Sequence, residues 1–289
     1  MKLCRFGTKG NEQPGIIDAA GGLRSLAGHI DDLTVENLTP EGLARLRAID
    51  PETLPRVEGA VRYGLPFTGT RQFIAIGLNY ADHAAESNMP IPKEPVVFTK
   101  AVSCLQGPFD DVMIPCGSIK TDWEVELGIV IGKRAAYVEE RAALDHVAGF
   151  CVVHDVSERE YQLERGGSWD KGKGCETFGP VGPWLVTRDE IPDPQNLALW
   201  LEVNGVRMQN GNTTTMIFSV ATLVMYVSRF MVLQTGDIIT TGTPPGVGMG
   251  QKPPRFLRAG DQVRLGIENL GLQEQKVVAW RSGVAGEAS

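Results

Sequence analysis

The chain has no surplus of positive charge. Its 28 Lys and Arg stand against 35 Asp and Glu, a formal charge of −7 over 289 residues. That balance argues against nucleic acid or an anionic membrane as the main partner. No apolar stretch approaches the ~20 residues of a membrane-spanning helix. The opening segment from Met1 to Lys9 lacks the apolar core of a secretion signal, so the expected location is the cytoplasm. Cysteine is scarce: Cys4, Cys104, Cys116, Cys151 and Cys175 are odd in number, widely spaced and without a Cys-x-x-Cys pair. This argues against a disulfide framework or a thiolate zinc site, and each reads as a small buried hydrophobe. The four histidines, His29, His83, His146 and His154, are too few for a histidine-rich metal site. What is not lacking is apolar content, which at 42% rules out a disordered chain.

Glycine and proline are plentiful, at 34 and 18 residues, and imply many turns between short strands. Lys2–Phe6 and Ile16–Asp18 read as strands. Thr39-Pro40-Glu41 is a helix start with Thr as cap, and that helix should run through Leu43, Leu46 and Ile49. Pro51 to Gly69 reads as a linker or extended wrap. Strands are expected at Phe73–Ile76, Val96–Lys100, Thr121–Ile131, Gly149–Asp155, Leu197–Val203, Asp237–Thr241, Gln262–Ile267 and Leu272–Val278. Helices are expected from Tyr80 to Asn88, over Tyr137–Val147, directly after Asp155 with Ser157–Glu160 as a capping box, and over Ile217–Met231. Asn204-Gly205 is a hairpin signal. Strands do not alternate regularly with helices, so the expected class is α+β, a mixed roll and not a doubly wound sheet.

The most informative stretch is Asp122-Trp123-Glu124-Val125-Glu126-Leu127-Gly128-Ile129-Val130-Ile131. Alternate side chains of a strand share a face. Trp123, Val125, Leu127, Ile129 and Ile131 form an apolar face, and Glu124 and Glu126 project together from the other, about 7 Å apart at Cα. A divalent cation would relieve their repulsion, and oxygen-only ligands suit Mg²⁺, Mn²⁺ or Ca²⁺ rather than zinc. Asp155, at a strand-to-helix junction, is a third candidate ligand. A solvated strand face and a helix cap are the plainer readings of these same residues.

His83 and Glu86 lie three apart on one helix face. A carboxylate beside an imidazole orients it and stabilises the imidazolium that base catalysis creates. A surface pair is the alternative. Arg159 and Gln162 also share a helix face, and Arg159 could bind a substrate carboxylate. Lys173, flanked by Gly172 and Gly174, could stabilise an enolate or could sit in a mobile loop. In Thr240–Gly248, backbone N–H groups and the Thr243 hydroxyl could hold a carboxylate. That loop lacks the ending of a phosphate-binding P-loop.

Taken in order, these segments resemble the fumarylacetoacetate hydrolase family. The resemblance rests on Gly77-Leu78-Asn79-Tyr80 with His83 and Glu86, Glu124-Val125-Glu126-Leu127-Gly128, and Asp155 with Arg159 and Gln162. It continues through Lys173, Phe178-Gly179-Pro180, Leu201–Gly205, and Thr241-Gly242-Thr243-Pro244 with Gly246-Val247-Gly248. It implies a mixed β-sandwich roll over residues 70–289, a small N-terminal domain and linker over 1–69, and a homodimer. It also implies Mg²⁺ or Mn²⁺ on Glu124, Glu126 and Asp155, a water-activating His83–Glu86 dyad with Lys173 catalytic, and substrate contacts from Tyr80, Arg159, Gln162 and Thr243. The founding hydrolase has a fourth carboxylate ligand where this chain has Ile76-Gly77, which places it with the acylpyruvate-type subgroup. The implied reaction is hydrolysis of the C3–C4 bond of a small-molecule 2,4-diketo acid. The region Gly166–Pro180 resembles enzymes of sugar-acid catabolism and favours 2,4-diketo-3-deoxy-L-rhamnonate, cleaved to pyruvate and lactate as in L-rhamnose catabolism. Fumarylpyruvate or another acylpyruvate is the main alternative. Decarboxylation of oxaloacetate and isomerisation of a hydroxymuconate-like diacid are rivals at the same site, and a metal-stabilised binding protein is a third reading.

Overall fold

The computed structural model describes residues 1–86 and 90–281. Its centre is a mixed nine-stranded sheet. Across it the strands run Leu23–Ser25, Gln13–Ile17, Lys2–Phe6, Leu185–Thr187, Val147–His154, Val125–Ile131, Ile238–Thr240, Phe73–Gly77 and Val96–Lys100. Most pairs are antiparallel, but Ile238 and Ile239 run parallel to Phe73 and Ile74. A second sheet orders Val206–Asn212, Ala198–Val203, Gln262–Ile267, Gly271–Ala279 and Val112–Ile114. The α+β class and the mixed sandwich expected from the sequence are what the chain adopts.

The two sheets share one core. Val125, Leu127 and Ile129 of the first pack with Leu199, Leu201, Val263 and Leu265 of the second. The opposite face of the nine-stranded sheet is also covered. There Val130, Cys151 and Val153 meet Leu3, Leu33, Leu38 and Leu43 from the first 69 residues. Burial on both faces explains why Val147–His154 is apolar almost without a break. The same core takes in Leu54 and Phe67 of the wrapped segment.

Local signals acted where they were chemically complete. Thr39 accepts from Gly42 N–H and Pro40 opens the Pro40–Arg47 helix, which ends before Ile49. Asn204 and Gly205 both take positive φ, at 52° and 75°, and close the hairpin between Ala198–Val203 and Val206–Asn212. Ser219 caps a helix that covers only Val220–Val227 of the expected Ile217–Met231. Other expectations are corrected. Thr121–Ile131 is not one strand: Thr121–Asp122 pairs with Ser157–Glu158, and the long strand starts afresh at Val125. The residue capping the next helix is therefore Glu158, which accepts from Glu160 N–H, while Ser157 is held in the strand pair. Tyr137–Val147 is helical only over Glu140–Ala143, with a 3₁₀ turn to His146. Tyr137 sits at φ 54° and Val147 already belongs to the sheet. The helix expected from Tyr80 to Asn88 covers Ala81–Glu86, and its expected last two residues lie outside the described residues.

Candidate metal centre and active site

The break at Trp123-Glu124 and the antiparallel neighbour strand bring the acidic residues together. Glu126 pairs with Val153 and Val125 with His154, so Asp155 follows at the same end of the sheet. The Asp155 N–H donates to the Glu124 carbonyl at 2.9 Å. Glu124, Glu126 and Asp155 each offer a carboxylate oxygen, all within 4.8 Å of one another, and all three residues are buried. Ion pairs enclose them. The Lys173 ammonium bridges Glu124 at 2.5 Å and Asp155 at 2.8 Å. Arg159 donates to Glu124 at 2.7 Å, to Asp122 at 2.8 Å and to Gln162 at 3.0 Å. Lys100 donates to Asp155 at 2.6 Å and to the Lys173 carbonyl at 2.5 Å.

The charges do not cancel. Four buried carboxylates, including Asp122, face Lys100, Lys173 and Arg159. Burial pushes the Glu124 carboxyl up, but Lys173 and Arg159 outweigh it and hold it well below the usual range. For Glu126 burial dominates and repulsion from Asp155 and Glu124 adds to it, so its carboxyl is pushed far up. Its carboxylate accepts a hydrogen bond from Gly242 N–H, at 2.8 Å. Gly242 adopts φ +86°, and a Cβ there would come within 3.0 Å of Asn79 Cβ, so the donor needs a glycine. Oxygen-only donors with uncompensated negative charge fit a hard divalent cation, as expected for Mg²⁺ or Mn²⁺.

A cavity of about 540 Å³ opens over this cluster. Glu124, Glu126, Arg159, Gln162, Lys173 and Thr243 all line it, as do His83 and Glu86. His83 Nδ1 lies 3.2 Å from Glu86 Oε2. The Glu86 carboxylate also accepts from Gly246 N–H at 3.2 Å. With Nδ1 facing the carboxylate, Nε2 is the nitrogen left for a reacting proton. Asp155 lies below the surface of the cavity, behind Lys173.

The structure does not bring Tyr80 to this cavity. Its side chain is fully buried in the inter-sheet core, where its hydroxyl has no hydrogen-bond partner among the described residues, and burial pushes its pKa far up. The strand-to-helix turn that positions His83 buries the ring before it. Thr243 lines the cavity, but its hydroxyl donates to the Val125 carbonyl at 2.9 Å. Three supporting residues escaped the sequence reading. Lys100 was visible only as the last residue of a strand. Asp122 anchors Arg159 and accepts from Gly248 and Met249 N–H at 2.6 and 3.0 Å. Gln209 accepts from Val125 N–H at 2.9 Å and donates to Thr243 Oγ1 and the Pro244 carbonyl, both at 2.8 Å. The Asp residue opening the Asp122–Ile131 run was the one such signal within reach.

The model of the fumarylacetoacetate (FAA) hydrolase C-terminal region matches residues 72–278, which include the carboxylates, the dyad and Lys173. The chain belongs to the fumarylacetoacetate hydrolase family. A Burkholderia cenocepacia protein carrying only a provisional hydrolase designation is 65% identical over 277 residues, 96% of this chain and 98% of its own length. The fumarylacetoacetate hydrolase of Exiguobacterium antarcticum superposes with a TM-score of 0.85 at 35% identity, covering 97% of this chain and 100% of its own. The maleylpyruvate hydrolase of Sphingobium sp. SYK-6, solved with manganese(II) and pyruvate, gives 0.81 at 28% identity over 97% and 100% of the two chains. This family member thus has an acidic triad able to hold a metal. Among its described residues no helix is long and apolar enough to cross a membrane.

Proposed function

We propose that the chain is a metal-dependent hydrolase that cleaves the C3–C4 bond of a 2,4-diketo acid. The observation that carries this reading is the placement of a His83–Glu86 dyad in the cavity that opens over the buried carboxylate triad. A binding protein needs no general base. A relative solved with manganese and pyruvate supports both the ion and one product.

A divalent cation on Glu124, Glu126 and Asp155 would supply Lewis acidity to the keto-acid end of the substrate. The remaining work falls to the chain. Glu86 holds His83 by Nδ1, and Nε2 takes a proton from water. The resulting hydroxide adds to the C4 carbonyl carbon. When the C3–C4 bond breaks, its electron pair passes to C3 as the enolate of pyruvate, and the acyl fragment leaves as a carboxylic acid. Lys173 and Arg159 provide positive charge beside the developing enolate, which is then protonated at C3. The enolate is also the point at which a decarboxylase or an isomerase would diverge, but neither needs an attacking water.

Solvent ¹⁸O is therefore the decisive label. With Mg²⁺ or Mn²⁺ present, one ¹⁸O should enter the acid derived from C4 and none should enter pyruvate through bond cleavage. Pyruvate released with unlabelled partner, or carbon dioxide in its place, would refute the hydrolase. The carboxylate end of the site serves any acylpyruvate. 2,4-Diketo-3-deoxy-L-rhamnonate, fumarylpyruvate and simple acylpyruvates all belong in the panel.

A further inference from the structure

The cavity concentrates its charged side chains at one end. Its polar groups at that end are bound to each other: Arg159 and Lys173 to Glu124, Gln162 to Arg159, His83 to Glu86. Among the described residues the remaining wall is mostly carbon; Gln251 and Lys252 are its polar side chains, and the Gln251 amide donates to the Gly246 and Val247 carbonyls at 3.4 and 3.5 Å. Phe98 and Trp169 meet edge-on with centroids 5.2 Å apart, and both line the cavity. The Lys173 ammonium lies 5.3 Å from the Phe98 centroid, so this wall begins directly beside the reaction end. Trp169 is seated against Gly77, where a Cβ would come within 2.6 Å of its ring. Next to it Leu78 lines the cavity from a left-handed backbone, φ 51°. That conformation costs a leucine free energy. It is held by Asn79, which binds the Phe218 and Thr241 carbonyls and Phe218 N–H. The opposite side carries Val247 and Met249 on the loop tied to Asp122.

A second carboxylate on the substrate would need a cation, and hydroxyls would need hydrogen-bond partners. Among the described lining residues the cations are Arg159, Lys173 and Lys252. The first two are paired and Lys252 is exposed at the rim. Resting on the hydrolase reading above, we propose that this enzyme acts on acylpyruvates whose acyl group is alkyl or aryl, seated against Leu78, Phe98 and Trp169. The rhamnonate derivative, whose lactoyl group carries a hydroxyl, and the diacid fumarylpyruvate are then poor substrates.

The test compares kcat/KM of the Mn²⁺-loaded enzyme on acetylpyruvate, butanoylpyruvate, benzoylpyruvate, fumarylpyruvate and 2,4-diketo-3-deoxy-L-rhamnonate. The butanoyl or benzoyl compound should exceed acetylpyruvate by about tenfold or more, the scale on which apolar pockets discriminate. The diacid and the hydroxylated rhamnonate compound should fall below acetylpyruvate. Trp169→Ala, and separately Phe98→Leu, should shrink the benzoyl-to-acetyl ratio. Because this is a ratio within one protein sample, partial misfolding does not alter it. Fumarylpyruvate or the rhamnonate compound performing as well as benzoylpyruvate would overturn the inference and leave the hydrolase intact. So would a fumarylpyruvate activity that Lys252→Met abolishes, since it would locate a carboxylate seat at the rim. If no acylpyruvate is cleaved, the hydrolase reading itself fails.

Discussion

Replacing Gln209 by Met tests whether a residue that touches neither carboxylate nor dyad nonetheless holds the site together. Gln209 is fully buried. Its amide accepts from Val125 N–H, midway between the two glutamates, and donates to the Pro244 carbonyl beside Thr243. Methionine fills a similar volume without hydrogen bonds, so little cavity is left. Two backbone groups lose their partners where water cannot replace them, at about 1–3 kcal/mol each. Methionine's better burial offsets part of this, and about 3 kcal/mol should be lost overall. With an unfolding entropy of about 2.1 cal/mol/K per residue, that lowers the Tm of this 289-residue chain by roughly 5 °C. Urea unfolding of the metal-free protein gives the free energy directly, and amide exchange at Val125 should accelerate in the variant. A loss below about 0.5 kcal/mol with unchanged exchange at Val125 would mean the backbone finds other partners, and the account of Gln209 as an organiser of the site would be wrong.

His83→Ala should lower kcat by about 10²–10⁴-fold, the usual value of a general base, while Mn²⁺ affinity measured by calorimetry stays near that of the parent. Equal loss of both would make His83 structural. Glu126→Gln should weaken Mn²⁺ binding yet leave the metal-free protein as stable as before or more so, because burial and two carboxylate neighbours already oppose its charge. A lower metal-free Tm at neutral pH would contradict this. Thiol titration should separate the cysteines. Exposed Cys116 should react at pH 8, while burial pushes Cys104 to about 11 and Cys151 to about 12, so neither should react before unfolding.

Much of the site was legible because its residues carry local patterns. Glu124 and Glu126 are two apart where a strand begins, and His83 and Glu86, like Arg159 and Gln162, are one helical turn apart. The expected ligand triad converges, and the dyad lines the cavity that opens over it. Lys100 was not legible, because its partners lie 55 and 73 residues away and nothing beside it in sequence marks the contact. Gln209 has the same character, reaching Val125 across 84 residues. Tyr80 shows the converse. It sits within a motif that the family resemblance made functional, yet packing places it in the core. Secondary structure failed for a related reason. The helix expected over Tyr137–Val147 is cut at both ends, because sheet pairing claims Val147 and a left-handed turn claims Tyr137.

The position of the first strand has a consequence for how the protein is made. Leu3 sits inside the nine-stranded sheet and pairs with Leu185. At about 5–20 residues per second on the ribosome, some ten to forty seconds separate the emergence of these partners. For that interval the opening meander can pair with Gln13–Ile17 but shows a bare edge on its other side. Slowing translation between the two segments should therefore lower the yield of native protein, and a trigger-factor-like holdase should restore it.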